Sequence, residues 1–366
     1  HRESMDPTAD CQRDGASRVR SASIRTCAMA VTVVLLHMLL SPGAHGLQLA
    51  RVAPAGGGLQ TLSGPAPSSA PCEKPGWFPD GFGLKDHTVF WHDGLYYIAS
   101  TYLAEQKYEQ RFAYASSQDF CHWTDLGPIL TERPAGAWDE FRVWAPYAYV
   151  EDGVYYLYYT GVTQAYAQSI MLATSTDPSR PGSWQRQGMV FQPAHPDAVW
   201  AGFDAWSDCR DPTVVRAGDR YYLYYTGLDQ SGGIIGVATA SSPIGPWTDW
   251  GAMLTLPRAM PESPTIAVYG GLYYLFYHSV GSEGRGELYH YGPSPQGPWS
   301  AADYIRPGWA HEIWMAQDGD HYTSYLTGYA VNIRRLTWDD HYSPPHPFIG
   351  AAVHRAFAPL ALRQTR

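Results

Sequence analysis

Two stretches of the 366-residue chain are near copies of one another, Tyr155-Tyr156-Leu157-Tyr158-Tyr159-Thr160-Gly161 and Tyr221-Tyr222-Leu223-Tyr224-Tyr225-Thr226-Gly227. The pattern recurs as Tyr96-Tyr97-Ile98-Ala99, as Tyr273-Tyr274-Leu275-Phe276-Tyr277 and, more weakly, as His321-Tyr322-Thr323-Ser324-Tyr325-Leu326-Thr327-Gly328. Successive copies begin 59, 66, 52 and 48 residues apart. Short aromatic-rich runs suit the half-buried, pleated surface of a strand. A turn precedes each run (Asp93-Gly94, Asp152-Gly153, Gly218-Asp219, Gly270-Gly271, Asp318-Gly319), with a short apolar segment before it. Strand, glycine turn, strand is a hairpin. Third strands follow at Ala115–Ser117, Met171–Ser175 and Ile235–Thr239, and each leads to a tryptophan, Trp123, Trp184 or Trp247. Trp299 and Trp338 take the corresponding places in the last two units. Five units of about four strands predict an all-β chain closed as a five-bladed β-propeller. The tyrosine pairs read as strand packing, and Trp123, Trp184, Trp247 and Trp299 as core between blades.

Composition excludes the main alternatives. Charged residues are 16% and aromatics 14%, with 36 Gly and 29 Pro, against both disorder and a helical bundle. A net charge of −9 offers no footprint for nucleic acid or an anionic membrane. Residues 1–46 have the order of a secretory signal peptide: Arg13, Arg18, Arg20 and Arg25, an apolar run from Ala28 to Leu40, then Ala44 and Gly46. That run falls short of the roughly 20 residues that span a bilayer, so a secreted or extracytoplasmic protein without stable membrane insertion is expected. Residues 47–76 are a Gly/Pro/Ser-rich linker, 77–345 the single propeller domain and 346–366 a tail. Export permits a disulfide, and Cys72–Cys121 is the pairing expected, with Cys209 a small buried residue. No cysteine or histidine spacing forms a zinc site.

Ten residues before each doubled aromatic stand Asp86, Ala145, Asp211, Ser263 and His311, with Glu262 beside Ser263. In a propeller the first strand of each blade lines the axis, so these residues should open those strands and converge at one mouth. Carboxylates crowded there push one another's proton affinities apart, which supplies an acid and a base at one pH. Glycoside hydrolysis requires such a pair. Trp144, Trp206 and Trp309 flank the axial positions and are candidate sugar-stacking residues.

These residues also carry a resemblance. Trp144-Ala145-Pro146, the acid opening blade one and Glu262 ahead of Tyr273-Tyr274 resemble glycoside hydrolase family 43. Arg210-Asp211-Pro212 and Glu262-Ser263-Pro264 are similar to families 32 and 68, which carry Arg-Asp-Pro and Glu-Cys-Pro motifs there. The resemblance covers about residues 77–340 and implies a five-bladed propeller with a two-aspartate, one-glutamate site. It implies Asp86 as base on water or as nucleophile, Asp211 as the residue that holds sugar hydroxyls and tunes the acid, and Glu262 as general acid. Arg210 would bind the sugar, and His311 would order a central water or structural calcium; no other cofactor is implied. The substrate is then an oligo- or polysaccharide carrying arabinoside, xyloside or fructoside units. Arg-Asp-Pro leans towards retaining fructoside chemistry, Trp-Ala-Pro towards inverting arabinoside or xyloside chemistry. His87-Thr88 after Asp86 departs from the motifs of all these families. The alternative class is a catalytically inert, carbohydrate-binding propeller.

Overall fold

The computed structural model describes residues 75–104, 108–281, 286–305, 311–327 and 329–350. Residues 1–46, Cys72 and Trp309 lie outside them. The chain folds into five antiparallel sheets, four of them built wholly from strands consecutive in sequence. Blade one contains β2 (Gly83–His92), β3 (Leu95–Leu103), β4 (Phe112–Ser117) and β5 (Trp123–Asp125). Blade two contains β6 (Arg142–Glu151), β7 (Val154–Val162), β8 (Gln168–Ser175) and β9 (Gln185–Phe191). Blade three contains β10 (Cys209–Ala217), β11 (Arg220–Asp229), β12 (Gly232–Ala240) and β13 (Thr248–Leu256). Blade four contains β14 (Ala259–Tyr269), β15 (Leu272–Gly281), β16 (Gly286–Gly292) and β17 (Asp303–Tyr304).

The fifth sheet closes the ring from both ends of the chain. Its strands β18 (Glu312–Met315), β19 (His321–Thr327) and β20 (Ala330–Asp339) are followed by β21 (His346–Ile349), and β1 (Gly76–Trp77) shares the outer edge of β20 with it. Gly76 pairs with Asn332 and Trp77 with Val331. A Cβ at Gly76 would run into the Val331 carbonyl, so only glycine fits this approach. The sheet thus extends one residue before the boundary at 77 and four beyond that at 345.

Apolar side chains fill the seams between blades. Trp123 packs in the seam of blades five and one, Trp184 in that of one and two, and Trp247 in that of two and three. Trp299 fills the seam of blades three and four, and Trp338 that of four and five. Trp338 differs from the expected register: it ends the third strand rather than preceding the fourth, and stacks on Tyr269 with centroids 4.3 Å apart. The seams also explain why tyrosine is used so heavily. A buried phenol needs an acceptor. The hydroxyls of Tyr114, Tyr158, Tyr224 and Tyr274 each donate to a proline carbonyl in the outer turn of the next blade, Pro178, Pro243, Pro295 and Pro345 respectively.

Around the axis the first strands are tied by side chains. Thr213 Oγ1 donates to the Pro264 carbonyl at 2.5 Å, and Thr265 Oγ1 accepts the Ile313 N–H at 3.3 Å. Blades five and one are joined by Glu312, whose carboxyl accepts the Thr88 hydroxyl at 2.6 Å and the Val89 N–H at 2.8 Å. Thr88 Oγ1 in turn accepts the Ala148 N–H of blade two at 3.0 Å. Burial pushes the Glu312 carboxyl up to about 8 from an ordinary value of 4.5, against the pull of its two donors. The folded state therefore binds a proton more tightly than the unfolded chain, and this group's contribution is most favourable below about pH 4.5 and weakens towards about pH 8. Glu312→Gln keeps an acceptor for Val89 without the titration. Thermal unfolding at pH 6 and pH 9 should show the variant losing less stability over that interval than wild type; parallel losses would contradict the assignment.

Candidate active site

Four of the five register positions do not open their strands, as was expected of them, but sit inside them at an irregularity. Pairing between first and second strands shifts at Lys85/His87, Trp144/Tyr147, Arg210/Thr213 and Glu262/Thr265. At each shift one residue has a positive φ: Asp86 (38°), Ala145 (44°), Asp211 (55°) and Ser263 (52°). These are β-bulges, which leave a residue unpaired and bend the strand. Left-handed backbone at a non-glycine residue costs roughly 1–3 kcal/mol, and repeated bulges of this kind mark a site whose surroundings enforce them. His311 lies just before β18 and bonds through its N–H to the Ser324 carbonyl at 2.8 Å.

The freed backbone groups are held by the neighbouring blade. Ala145 N–H donates to Thr101 Oγ1 at 3.2 Å, and Asp211 N–H to Thr160 Oγ1 at 3.0 Å. Both threonines stand five residues into the tyrosine repeat. At the next seam the pattern changes: Ser263 N–H donates to Asp211 Oδ2 at 3.0 Å, and Thr226 Oγ1 donates to the same oxygen at 3.4 Å. Asp211 therefore fixes the backbone that carries Glu262. Arg210 lies between them, its Nε 3.9 Å from Asp211 and its Nη2 3.5 Å from Glu262 Oε1. Asp208 anchors the guanidinium from behind at 2.5 Å.

Glu262 is the most open of the three acids, with 43% of its side chain exposed, against 16% for Asp86 and 10% for Asp211. Its proton affinity is raised by burial first, then by Asp211 and Asp86, while Arg210 and His278, its cross-strand partner, pull it down. Asp86 is also raised, chiefly by burial and further by Asp211 and Glu109, against Lys85 and His311. The three carboxyls thus act on one another electrostatically across blades one, three and four. This is the convergence expected from the register.

Sequence reasoning missed the groups that support Asp86. Lys85 Nζ lies 3.7 Å from Asp86 Oδ2 and 3.5 Å from Glu109 Oε1. Glu109, buried in the connection from β3 to β4, also accepts Arg142 Nη1 at 2.7 Å and Trp144 Nε1 at 2.8 Å. Trp144 carries the Lys85 ammonium over its ring, 5.5 Å from the centroid. Lys85 adjoins a register position and was legible by its place; Glu109 belongs to no repeat.

At the axis lies a cavity of about 20 Å³, room for about one water, lined by His87, Ala145, Asp211, Ser263, His311 and Glu312, among others. The His87 N–H donates to His311 Nε2 at 3.1 Å, and the two rings lie 4.8 Å apart. Burial lowers the proton affinity of both imidazoles. Calcium takes six to eight oxygen ligands. Here the Glu312 carboxyl is engaged by Thr88 and Val89, and the described residues hold no group of three or more His, Cys, Asp or Glu placed for a metal. The axial donors do not fit calcium. Cys209 is buried, and Cys121 is disulfide-bonded. Trp206 is 59% exposed and stacks on Tyr166.

Residues 82–208 match the family model of glycosyl hydrolases family 43. The chain is 36% identical over 111 residues to the arabinoxylan arabinofuranohydrolase of Bacillus subtilis, covering 28% of this chain and 20% of that protein. It is 28% identical over 173 residues to a probable sucrose-6-phosphate hydrolase of Psychromonas ingrahamii, covering 43% and 29%. The chain thus spans less than a third of the length of either relative. An exo-1,5-alpha-L-arabinanase from a bovine ruminal metagenomic library has the same fold, with a TM-score of 0.56 at 19% identity over 75% of this chain and 99% of that one. The chain is a five-bladed β-propeller whose residues 82–208 are similar to glycosyl hydrolases family 43.

Proposed function

We propose that the protein hydrolyses O-glycosidic bonds of furanose or pentose units in a glycan outside the cell, with inversion at the anomeric carbon. The observation that carries this reading is the coupled set Asp86, Asp211 and Glu262 at the bulges of three first strands. Glu262, raised and open to solvent, gives its proton to the leaving oxygen as the bond from C1 to that oxygen breaks. A water attacks C1 from the opposite face, and Asp86 takes its proton. The choice of base over nucleophile rests on Trp144-Ala145-Pro146 and on the family 43 match over residues 82–208. Asp211 holds the Glu262 segment in place, and Arg210 offers its remaining N–H groups to sugar hydroxyls. Trp144 and His311 complete the wall and floor. The substrate range rests on the family 43 match and on the arabinose-acting relative. The export reading rests on the Arg-rich and apolar order of residues 1–46. No helix among the described residues is long and apolar enough to cross a membrane.

Glu262→Gln should lower kcat by about 10²–10⁴ on arabinan, xylan or aryl glycosides while leaving the melting temperature unchanged. Full activity in that variant would remove Glu262 from the acid role. Proton NMR of the first-formed product from the active substrate should show the inverted anomer; a retained anomer would make Asp86 a nucleophile. Lys85→Met removes the cation that draws the Asp86 carboxyl down, so the acid limb of the pH–rate profile should move to higher pH. An unmoved limb would show that Asp86 does not set it.

A further inference from the structure

The first strands begin at the mouth that holds the acids. In an antiparallel four-stranded blade, the connections between second and third strands and between blades emerge on that same face. Three of them carry aromatic rings there, Tyr108 and Trp206 exposed and Tyr166 half-buried. Tyr108 stands in the β3–β4 connection, Tyr166 in the turn between β7 and β8, and Trp206 in the long segment between β9 and β10. Trp206 stacks on Tyr166 with centroids 5.8 Å apart and planes at 20°, and Phe141 meets Tyr166 edge-on at 5.4 Å. The Arg142 guanidinium lies 5.4 Å over Tyr166 and 5.5 Å over Tyr108, linking the row to Glu109.

The shelf is built, not merely exposed. Tyr166 has a φ of 62°, held by a tight turn in which its N–H donates to the Thr163 carbonyl. The segment bearing Trp206 is stitched down by Gln168 N–H to the Ser207 carbonyl and by Ser207 Oγ to the Ala201 and Gly202 N–H groups. Its far end is clamped where Asp249 accepts the Ala194 and His195 N–H groups. Trp206 Nε1 donates to Asp208 Oδ2 at 3.2 Å, and Asp208 grips Arg210, which touches Glu262. One continuous chain of contacts therefore runs from the shelf to the proposed proton donor.

We propose that the exposed ring of Trp206, backed by Tyr166, forms a leaving-group subsite that stacks a pyranosyl unit of an uncharged glycan backbone. The proposal rests on Glu262 as the acid, since the leaving oxygen lies on the donor's side. Flat ring faces with a polar rim fit the apolar face and hydroxyl edge of a pyranose. The exposed Asp204 beside the shelf, on a chain of net charge −9, disfavours uronate. The furanose or pentose unit would then be a branch cut from a pyranose main chain.

Two measurements test this. Calorimetric titration of unbranched β-1,4-xylo-oligosaccharides into the Glu262→Gln protein should show binding that weakens about 3- to 10-fold in Glu262→Gln/Trp206→Ala and is largely restored by Phe at 206. Equal affinity in all three, or equal affinity for oligogalacturonate, overturns the proposal. Kinetically, Trp206→Ala should reduce kcat/KM for a substrate with a disaccharide leaving group about 3- to 10-fold more than for the methyl glycoside of the same sugar. Equal losses on both overturn it. If wild type turns over neither, the glycosidase reading falls, while the titration still reads the shelf.

Discussion

The structure depends on a backbone constraint at the propeller axis: each of the first four blades must bulge at the same point of its first strand. Asp86, Ala145, Asp211 and Ser263 all adopt positive φ there, in residue types with no intrinsic preference shared among them. What they share is the ring. Two of the four N–H groups are caught by a threonine of the preceding blade, at positions set by the tyrosine repeat. The strain at the bulges is offset by the seams of aromatic packing behind them. The payoff is geometric, because each bulge stops the strand from continuing flat along the axis and turns its side chains towards the mouth.

Asp211 shows how closely scaffold and chemistry are joined. At the seam between blades three and four a carboxylate takes the place of the threonine oxygen found at the two earlier seams. It accepts the Ser263 N–H and the Thr226 hydroxyl together. The residue that raises the proton affinity of Glu262 is thus also the residue that positions its backbone. On the opposite side, Glu109 gathers Lys85, Arg142 and Trp144 and so links the Asp86 environment to the aromatic shelf. Asp86, Glu262 and the shelf are parts of one network around the mouth.

Much of this was legible in the chain because repetition converts spacing into geometry. The tyrosine runs located every second strand, and counting back from them found Asp86, Asp211 and the neighbour of Glu262. The same counting could not show that these positions lie at bulges, since a bulge leaves no composition of its own. Trp338 lies within the third strand of its blade, whereas the other four tryptophans follow theirs. Glu109 and Asp208 escaped notice for a different reason. They act from connections between strands, where contact is decided by loop path rather than by register.

On the proposed reading the bulges bring Asp86 and Glu262 to opposite faces of one glycosidic bond. A crystal structure of the Glu262→Gln protein with an uncleaved branched oligosaccharide should show the anomeric carbon between the two residues, with a water on Asp86, the leaving oxygen at residue 262, and a carboxyl separation of about 6.5–9.5 Å. A sugar bound away from this mouth, or an anomeric carbon not flanked by both residues, would contradict it.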